Sequence, residues 1–255
     1  MTSSFNPGDF TAPTAKPLPI ILMLDVSGSM HGRKIQALND AVKDMIGTFC
    51  DTEHGEVDIQ VAVITFGAEI KLHLPLTTAS NITWNILSAS GGTPLGMALK
   101  MAKAMIEDKN VIPSRAYRPT VILVSDGRPG DSWKDALKAF VTIGRSSKCE
   151  RMAMAIGADA DETVLGQFIE GTQYRLFYAE DAAQLKEFFK FVTMSVTVRS
   201  KSHDPNISPT PQSIDVKPTT IESRPERSKE PSVPEQINQK TEEDSESDDS
   251  DEGYW

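Results

Sequence analysis

The sequence contains few of the features that mark disulfide-stabilised or membrane-spanning proteins. Its two cysteines, Cys50 and Cys149, form no C-x-x-C pair, so we expect no disulfide framework. No run of about 18 apolar residues occurs, so we expect no membrane span. Residues 1–19 lack a basic region followed by an apolar core, and no signal peptide is expected. With so little cysteine, the chain is predicted to be cytoplasmic.

Basic residues are also too few to balance the acidic ones, since the net charge is -10 at neutral pH. This charge argues against nucleic acid as a partner. Residues 199–255 contain seven basic and 14 acidic residues and seven of the 16 prolines. Such a segment has little apolar surface to offset the entropy lost on ordering. We therefore predict a flexible segment over 1–17, a folded domain over 18–198 and a disordered acidic tail over 199–255.

The folded part alternates apolar runs with amphipathic stretches. Continuous apolar runs predict buried parallel strands at Ile20–Leu24, Pro119–Ser125 and Arg151–Ile156. Apolar residues at three- and four-residue steps predict helices between and after them, at Arg33–Phe49, Leu95–Glu107 and Ala182–Val198. A hairpin strand is predicted at Glu69–Leu76, and a short helix at Ile82–Leu87. This order predicts an α/β fold, with a doubly wound, mostly parallel central sheet and helices on both faces.

Polar oxygen-bearing residues follow two of the apolar runs. Asp25, Ser27 and Ser29 come directly after the first run, and Asp126 follows a later one. Thr93 follows a pair of glycines at the start of a predicted helix. In open α/β sheets, ligands bind at the carboxyl edge where such loops meet. Carboxylate and hydroxyl oxygens suit Mg²⁺, and Mn²⁺ is an alternative. The same residue types also serve as ordinary turn and helix-cap residues, and that interpretation stays open for each of them.

The segments DVSGSM, GGTPLG and VSDGRPGD together resemble the metal-ion-dependent adhesion site of von Willebrand factor type A (VWA) domains. The resemblance covers residues 18–198 and implies a Rossmann-like VWA fold. It also implies that hydroxyls of Ser27, Ser29 and Thr93 bind Mg²⁺, while Asp25 and Asp126 bind it directly or through water. An Asp or Glu carboxylate of a protein partner would then complete the coordination of the ion.

Within that family, the segments GGTPLGMAL and VILVSDGRPGDSW are similar to those of bacterial TerY-like proteins. This resemblance implies a cytoplasmic scaffold in a stress system of the tellurium-resistance type, with a protein kinase and a PP2C-type phosphatase as partners. The function predicted is therefore a non-enzymatic, divalent-metal-dependent protein-binding module. Two alternatives remain: a metal-dependent phosphotransfer enzyme, and a structural adaptor whose metal site is vestigial.

The C-terminal tail carries two further hypotheses. Tyr254 and Trp255 are predicted to dock on a protein partner, because aromatic residues anchor many interfaces. The acidic block at 242–252 contains three serines that a kinase could phosphorylate. A tail that only keeps the protein soluble is the competing interpretation.

Overall fold

A six-stranded sheet organises the computed structural model, which describes residues 15–52, 57–157 and 160–220. The spatial order of the strands is β3-β2-β1-β4-β5-β6, and β3 alone runs antiparallel to its neighbour. The predicted doubly wound, mostly parallel sheet is therefore confirmed. The strands are β1 (Lys16–Asp25), β2 (Val57–Phe66), β3 (Ile70–Thr78), β4 (Thr120–Ser125), β5 (Glu150–Ile156) and β6 (Phe177–Ala179).

In the described residues, five α-helices cover the two faces of this sheet: α1 (Arg33–Thr52), α2 (Leu95–Glu107), α3 (Lys134–Thr142), α4 (Glu162–Ile169) and α5 (Ala182–Ser200). Successive side chains of a strand point to opposite faces, so β1 contributes to two cores. Leu22 packs among residues of α1 and α5, whereas Met23 packs among residues of α2, α3 and α4. No helix within the described ranges is long and apolar enough to cross a membrane.

The chain reverses its direction of winding between β1 and β4. From β1 it continues outward to β2 and β3, and then returns to place β4 on the other side of β1. Leu24 of β1 lies opposite Val124 of β4 in the register of the sheet. The next residues of both strands therefore emerge side by side at the carboxyl edge. Ligands of open α/β sheets bind in the crevice that such a switch point creates.

Two predictions about local structure differ from what is observed. Strand β1 begins at Lys16, inside the segment predicted as flexible, and includes Pro17. Proline is tolerated here because β4 pairs with β1 only from Ile20 onward. The predicted helix at Ile82–Leu87 is wrong, since these residues form no helix. Instead, the Asn39 side-chain amide donates to the Leu87 carbonyl (3.0 Å) and accepts from the Leu87 amide (2.7 Å).

The predicted start of the disordered tail also has to be corrected. Residues 199–220 pack on the domain: Ile214 is buried, and the amide of Tyr178 donates to the carbonyl of Thr219 (2.9 Å). Composition averaged over 57 residues hides these few anchoring positions, so a boundary based on composition falls too early in the chain. The rest of the tail, including Tyr254 and Trp255, lies outside the described residues.

Arg199 fixes the beginning of this segment. Its side chain is almost fully buried, and its guanidinium donates to the Pro205 carbonyl (2.9 Å), the Arg118 carbonyl (2.9 Å) and the Thr120 hydroxyl. Burial lowers the pKa of this guanidinium. One side chain thus joins the end of α5 to the segment that follows it and to the start of β4.

We predict that Arg199→Ala lowers the free energy of unfolding by about 3 kcal/mol. Three hydrogen-bond acceptors would lose their donor, and the removed side chain would leave a cavity. Urea denaturation of the full chain measures this change. Lys190→Ala, on an exposed face of the same helix, should change the free energy by less than about 0.5 kcal/mol. Equal stabilities for the two variants would contradict the anchoring role of Arg199.

Candidate metal centre

Three loops meet at the carboxyl edge of β1 and β4. One follows β1 and contains a short 3-10 helix (Gly28–Met30), one leads into α2, and one follows β4. Backbone hydrogen bonds tie them together. The amide of Gly28 donates to the carbonyl of Gly91 (2.8 Å), and the amide of Gly130 donates to the carbonyl of Thr93 (2.9 Å). These bonds fix the relative positions of the side chains that the loops carry.

Four of the five predicted residues bring oxygen atoms into one cluster. The hydroxyl of Ser29 donates to Asp126 Oδ1 (2.7 Å) and lies 3.0 Å from the hydroxyl of Ser27. Thr93 faces the same space, because a Cβ placed on Gly127 would lie 3.1 Å from Thr93 Oγ1 and 3.9 Å from Ser29 Oγ. Ser29 is exposed and Asp126 is buried. The cluster therefore opens to solvent on the Ser29 side.

Asp25, the fifth residue, lies beneath this cluster with both carboxylate oxygens engaged. Oδ1 accepts from the amide of Ser27 (2.8 Å), and Oδ2 accepts from the hydroxyl of Ser125 (2.6 Å). Burial raises the pKa of the Asp25 carboxyl, and the charge of Asp126 acts in the same direction, while the hydrogen bonds oppose it. The Asp25 carboxylate holds the Ser27 backbone and β4 in place.

Lys34 supplies a positive charge to the cluster, although no sequence motif includes it. Its ammonium Nζ lies 2.5 Å from Asp126 Oδ2, the oxygen that Ser29 does not use. Lys34 lies in the first turn of α1, where the helix dipole disfavours a positive charge. Arg33 precedes it in the same turn, so the position in the helix does not by itself distinguish Lys34 in the sequence.

The helix-cap interpretation does not describe the hydroxyl groups well. Ser29 donates to Asp126, and the 3-10 helix that Ser27 precedes has no side-chain cap from it. The first turn of α2 is capped by Asp131, whose carboxylate oxygens accept from the amides of Gly96 and Met97 (2.9 Å each). Asp131 belongs to the loop after β4, so this cap arises from tertiary structure. Thr93 therefore keeps its hydroxyl directed at the cluster instead of at the helix.

The chemistry of this donor set fits a hard divalent cation. Three hydroxyls and one carboxylate could hold Mg²⁺ or Mn²⁺, both of which bind oxygen ligands and retain water. Softer metals prefer thiolate and imidazole groups. Within the described part of the chain, no group of three or more His, Cys, Asp or Glu side chains could hold a metal ion. Any ion at this edge would therefore rely on the hydroxyl oxygens.

Comparisons with known proteins match the same part of the chain. The model of the von Willebrand factor type A domain family matches residues 20–191. Matrilin-3 of Gallus gallus is 25% identical over 179 residues, which cover 67% of this chain. The chain spans only 38% of the length of matrilin-3.

Two solved structures show the same fold at low sequence identity. A von Willebrand factor type A structure from Catenulispora acidiphila has a TM-score of 0.55 and 24% identity, over 71% of this chain and 42% of that one. Proximal thread matrix protein 1 from the mussel byssus, solved with a zinc-occupied MIDAS motif, has a TM-score of 0.56 and 19% identity, over 71% and 48% of the two chains.

We predict that Gly91→Ala lowers the free energy of unfolding by about 2 kcal/mol. Gly91 has φ +78°, and an added Cβ would lie 2.3 Å from the backbone Cα of Ala68, so the loop must shift. The adjacent Gly92→Ala is the matched control, because a Cβ there meets nothing within 4 Å. Urea denaturation should separate the two variants, and equal losses would contradict close packing of this loop.

Proposed function

The chain belongs to the von Willebrand factor type A domain family, and on that basis we propose that it is a non-enzymatic protein-binding module whose binding depends on a divalent metal ion. The observation that carries this proposal is the oxygen cluster of Ser27, Ser29, Thr93 and Asp126 at the switch point of the sheet. Partner recognition through a metal needs an accessible ion, and the exposure of Ser29 supports such access.

In this proposal, the hydroxyls of Ser27, Ser29 and Thr93 and the carboxylate of Asp126 hold the ion. Asp25 keeps Ser27 oriented through its amide. When bound, the ion supplies positive charge and a coordination position that an Asp or Glu carboxylate of a partner can fill. Because most of the donors are neutral hydroxyls, the ion keeps much of its charge for that carboxylate. The zinc-occupied motif of the mussel protein supports a divalent ion, and the oxygen-only donor set favours Mg²⁺, or Mn²⁺, here.

The positions of the two buried carboxylates argue against the phosphotransfer alternative. An aspartyl-phosphate mechanism needs a carboxylate oxygen free to attack phosphorus. Both oxygens of Asp25 accept hydrogen bonds from Ser27 and Ser125. Asp126 is engaged by Ser29 and by Lys34, or by the ion that would bind there in our proposal. The adaptor alternative, with a vestigial site, differs from our proposal only in whether metal binds. A titration with metal therefore decides between them.

We also propose a cytoplasmic setting and partners of the kinase and PP2C-type phosphatase classes. This part rests on the TerY-like segments GGTPLGMAL and VILVSDGRPGDSW and on the two cysteines, which are both free thiols. Capture of partners from a bacterial lysate on the full chain, in Mg²⁺ and in chelator, tests this assignment. Recovery of neither class in a Mg²⁺-dependent manner would remove it and leave the binding module itself intact.

We predict that Mg²⁺ raises the thermal stability of the full chain but not that of Asp126→Ala. Ligand linkage gives about 0.4–1.4 kcal/mol of stabilisation at one to ten times the dissociation constant. Differential scanning calorimetry over a Mg²⁺ series measures this, with Asp40→Ala, an exposed carboxylate of α1, as the control that should respond like wild type. An equal response in Asp126→Ala would place the ion elsewhere.

We further predict that Gly127→Ala weakens Mg²⁺ binding about tenfold, because its methyl group would lie 3.1 Å from Thr93 Oγ1 and displace that hydroxyl. Gly130→Ala is the matched control in the same loop, since its Cβ approaches nothing closer than 4.0 Å. Isothermal titration calorimetry compares the two affinities. If Gly127→Ala binds as tightly as Gly130→Ala, Thr93 does not contribute to the site.

A further inference from the structure

The contact between Lys34 and Asp126 joins a flexible cation to a candidate metal ligand. The Lys34 ammonium lies 2.5 Å from Asp126 Oδ2, while Oδ1 accepts from Ser29. The Asp126 side chain is fully buried, whereas 37% of the Lys34 side chain is exposed. The carboxylate is therefore fixed by its surroundings, and the lysine is the partner that is free to move.

A divalent ion and this ammonium would compete for the negative charge of the same carboxylate. An ion held by the Ser29 hydroxyl has to share Asp126 with an ammonium at the other oxygen of the same group. Two positive charges at such short range repel each other, and a double charge on one of them doubles the effect. Because the Asp126 side chain between them is buried, solvent screens this repulsion less than it would at an open surface.

We propose that Lys34 is a tethered cation that competes with the divalent ion for Asp126 and thereby sets the affinity of the site. This inference rests on the proposed metal-binding function and extends it. In the absence of the ion, the ammonium neutralises the buried Asp126 carboxylate. Binding of the ion displaces the ammonium from that carboxylate. The free energy needed to break the Lys34–Asp126 contact reduces the measured affinity for the ion.

Lys34 also borders carboxylates other than that of Asp126. It lines a cavity of about 440 Å³ between the first turns of α1 and α5, and Glu180, Asp181 and the cationic Arg33 line the same cavity. The lysine side chain has four rotatable carbon bonds and a compact charge that reorients easily. The ammonium can therefore move from Asp126 toward these carboxylates without leaving the surface of the protein.

Titration of the full chain with Mg²⁺, and in parallel with Mn²⁺, tests the inference by calorimetry. Lys34→Met keeps an unbranched side chain one atom shorter than lysine and removes its charge, and we expect it to bind the ion about tenfold more tightly than wild type. Lys43→Met is the matched control, because it removes an exposed lysine from the same helix. Its affinity should stay within about twofold of wild type.

A second readout needs no metal. In chelator, Lys34→Met should melt at a lower temperature than wild type, because the buried Asp126 loses its counter-charge. In an Asp126→Ala background the same substitution should leave the melting temperature unchanged, so the double-mutant cycle isolates the pair. Absence of coupling between the two residues would overturn the inference.

The possible results of the titration separate this inference from the proposed function. Tighter binding by Lys34→Met supports both. Equal or weaker binding by Lys34→Met, with measurable binding by wild type, overturns the competition and leaves the metal-dependent module standing. If neither wild type nor any variant binds Mg²⁺ or Mn²⁺, the proposed function fails and the competition fails with it.

Discussion

Two carboxylates buried side by side at the ends of adjacent strands are the constraint on which this end of the molecule depends. Asp25 ends β1 and Asp126 follows β4, and both are almost completely removed from solvent. Burying an ionised carboxylate is costly unless hydrogen bonds or opposite charges compensate it. The surrounding groups provide this compensation in different ways. Hydrogen bonds from Ser27 and Ser125 compensate Asp25. Asp126 is compensated by a hydrogen bond from Ser29 and by the ammonium of Lys34.

This difference explains why two residues of the same type have different roles. Each carboxylate oxygen of Asp25 accepts a hydrogen bond from the scaffold itself, so Asp25 acts as a fixed support. Asp126 is compensated in part by a long, half-exposed lysine side chain, which a divalent ion would replace in our proposal. The local architecture thus places the exchangeable interaction at the mouth of the crevice and the permanent one below it.

The sequence predicted the elements whose pattern is local and missed those decided by distant contacts. The apolar runs of β1, β4 and β5 specify buried strands. The polar residues that follow β1 and β4 lie together in the oxygen cluster, whose role as a metal site stays a prediction. Lys34 and Asp131 were missed because their partners, Asp126 and the first turn of α2, lie far away in the chain. The helix predicted at residues 82–87 is wrong because hydrogen bonds between Asn39 and Leu87 hold this segment in a non-helical conformation. These residues are 48 positions apart, so local helix propensity does not reflect the bonds.

Strand β4 is short, with six residues, and charged groups hold both of its ends. At its start the guanidinium of Arg199 bonds the Thr120 hydroxyl and the carbonyl of Arg118. Just beyond its other end the ammonium of Lys34 contacts Asp126. Between these two points every residue is buried and paired in register with β5. The strand is therefore held near each end by a charged side chain, and it connects the residue that anchors the C-terminal segment to the edge of the sheet that carries Asp126.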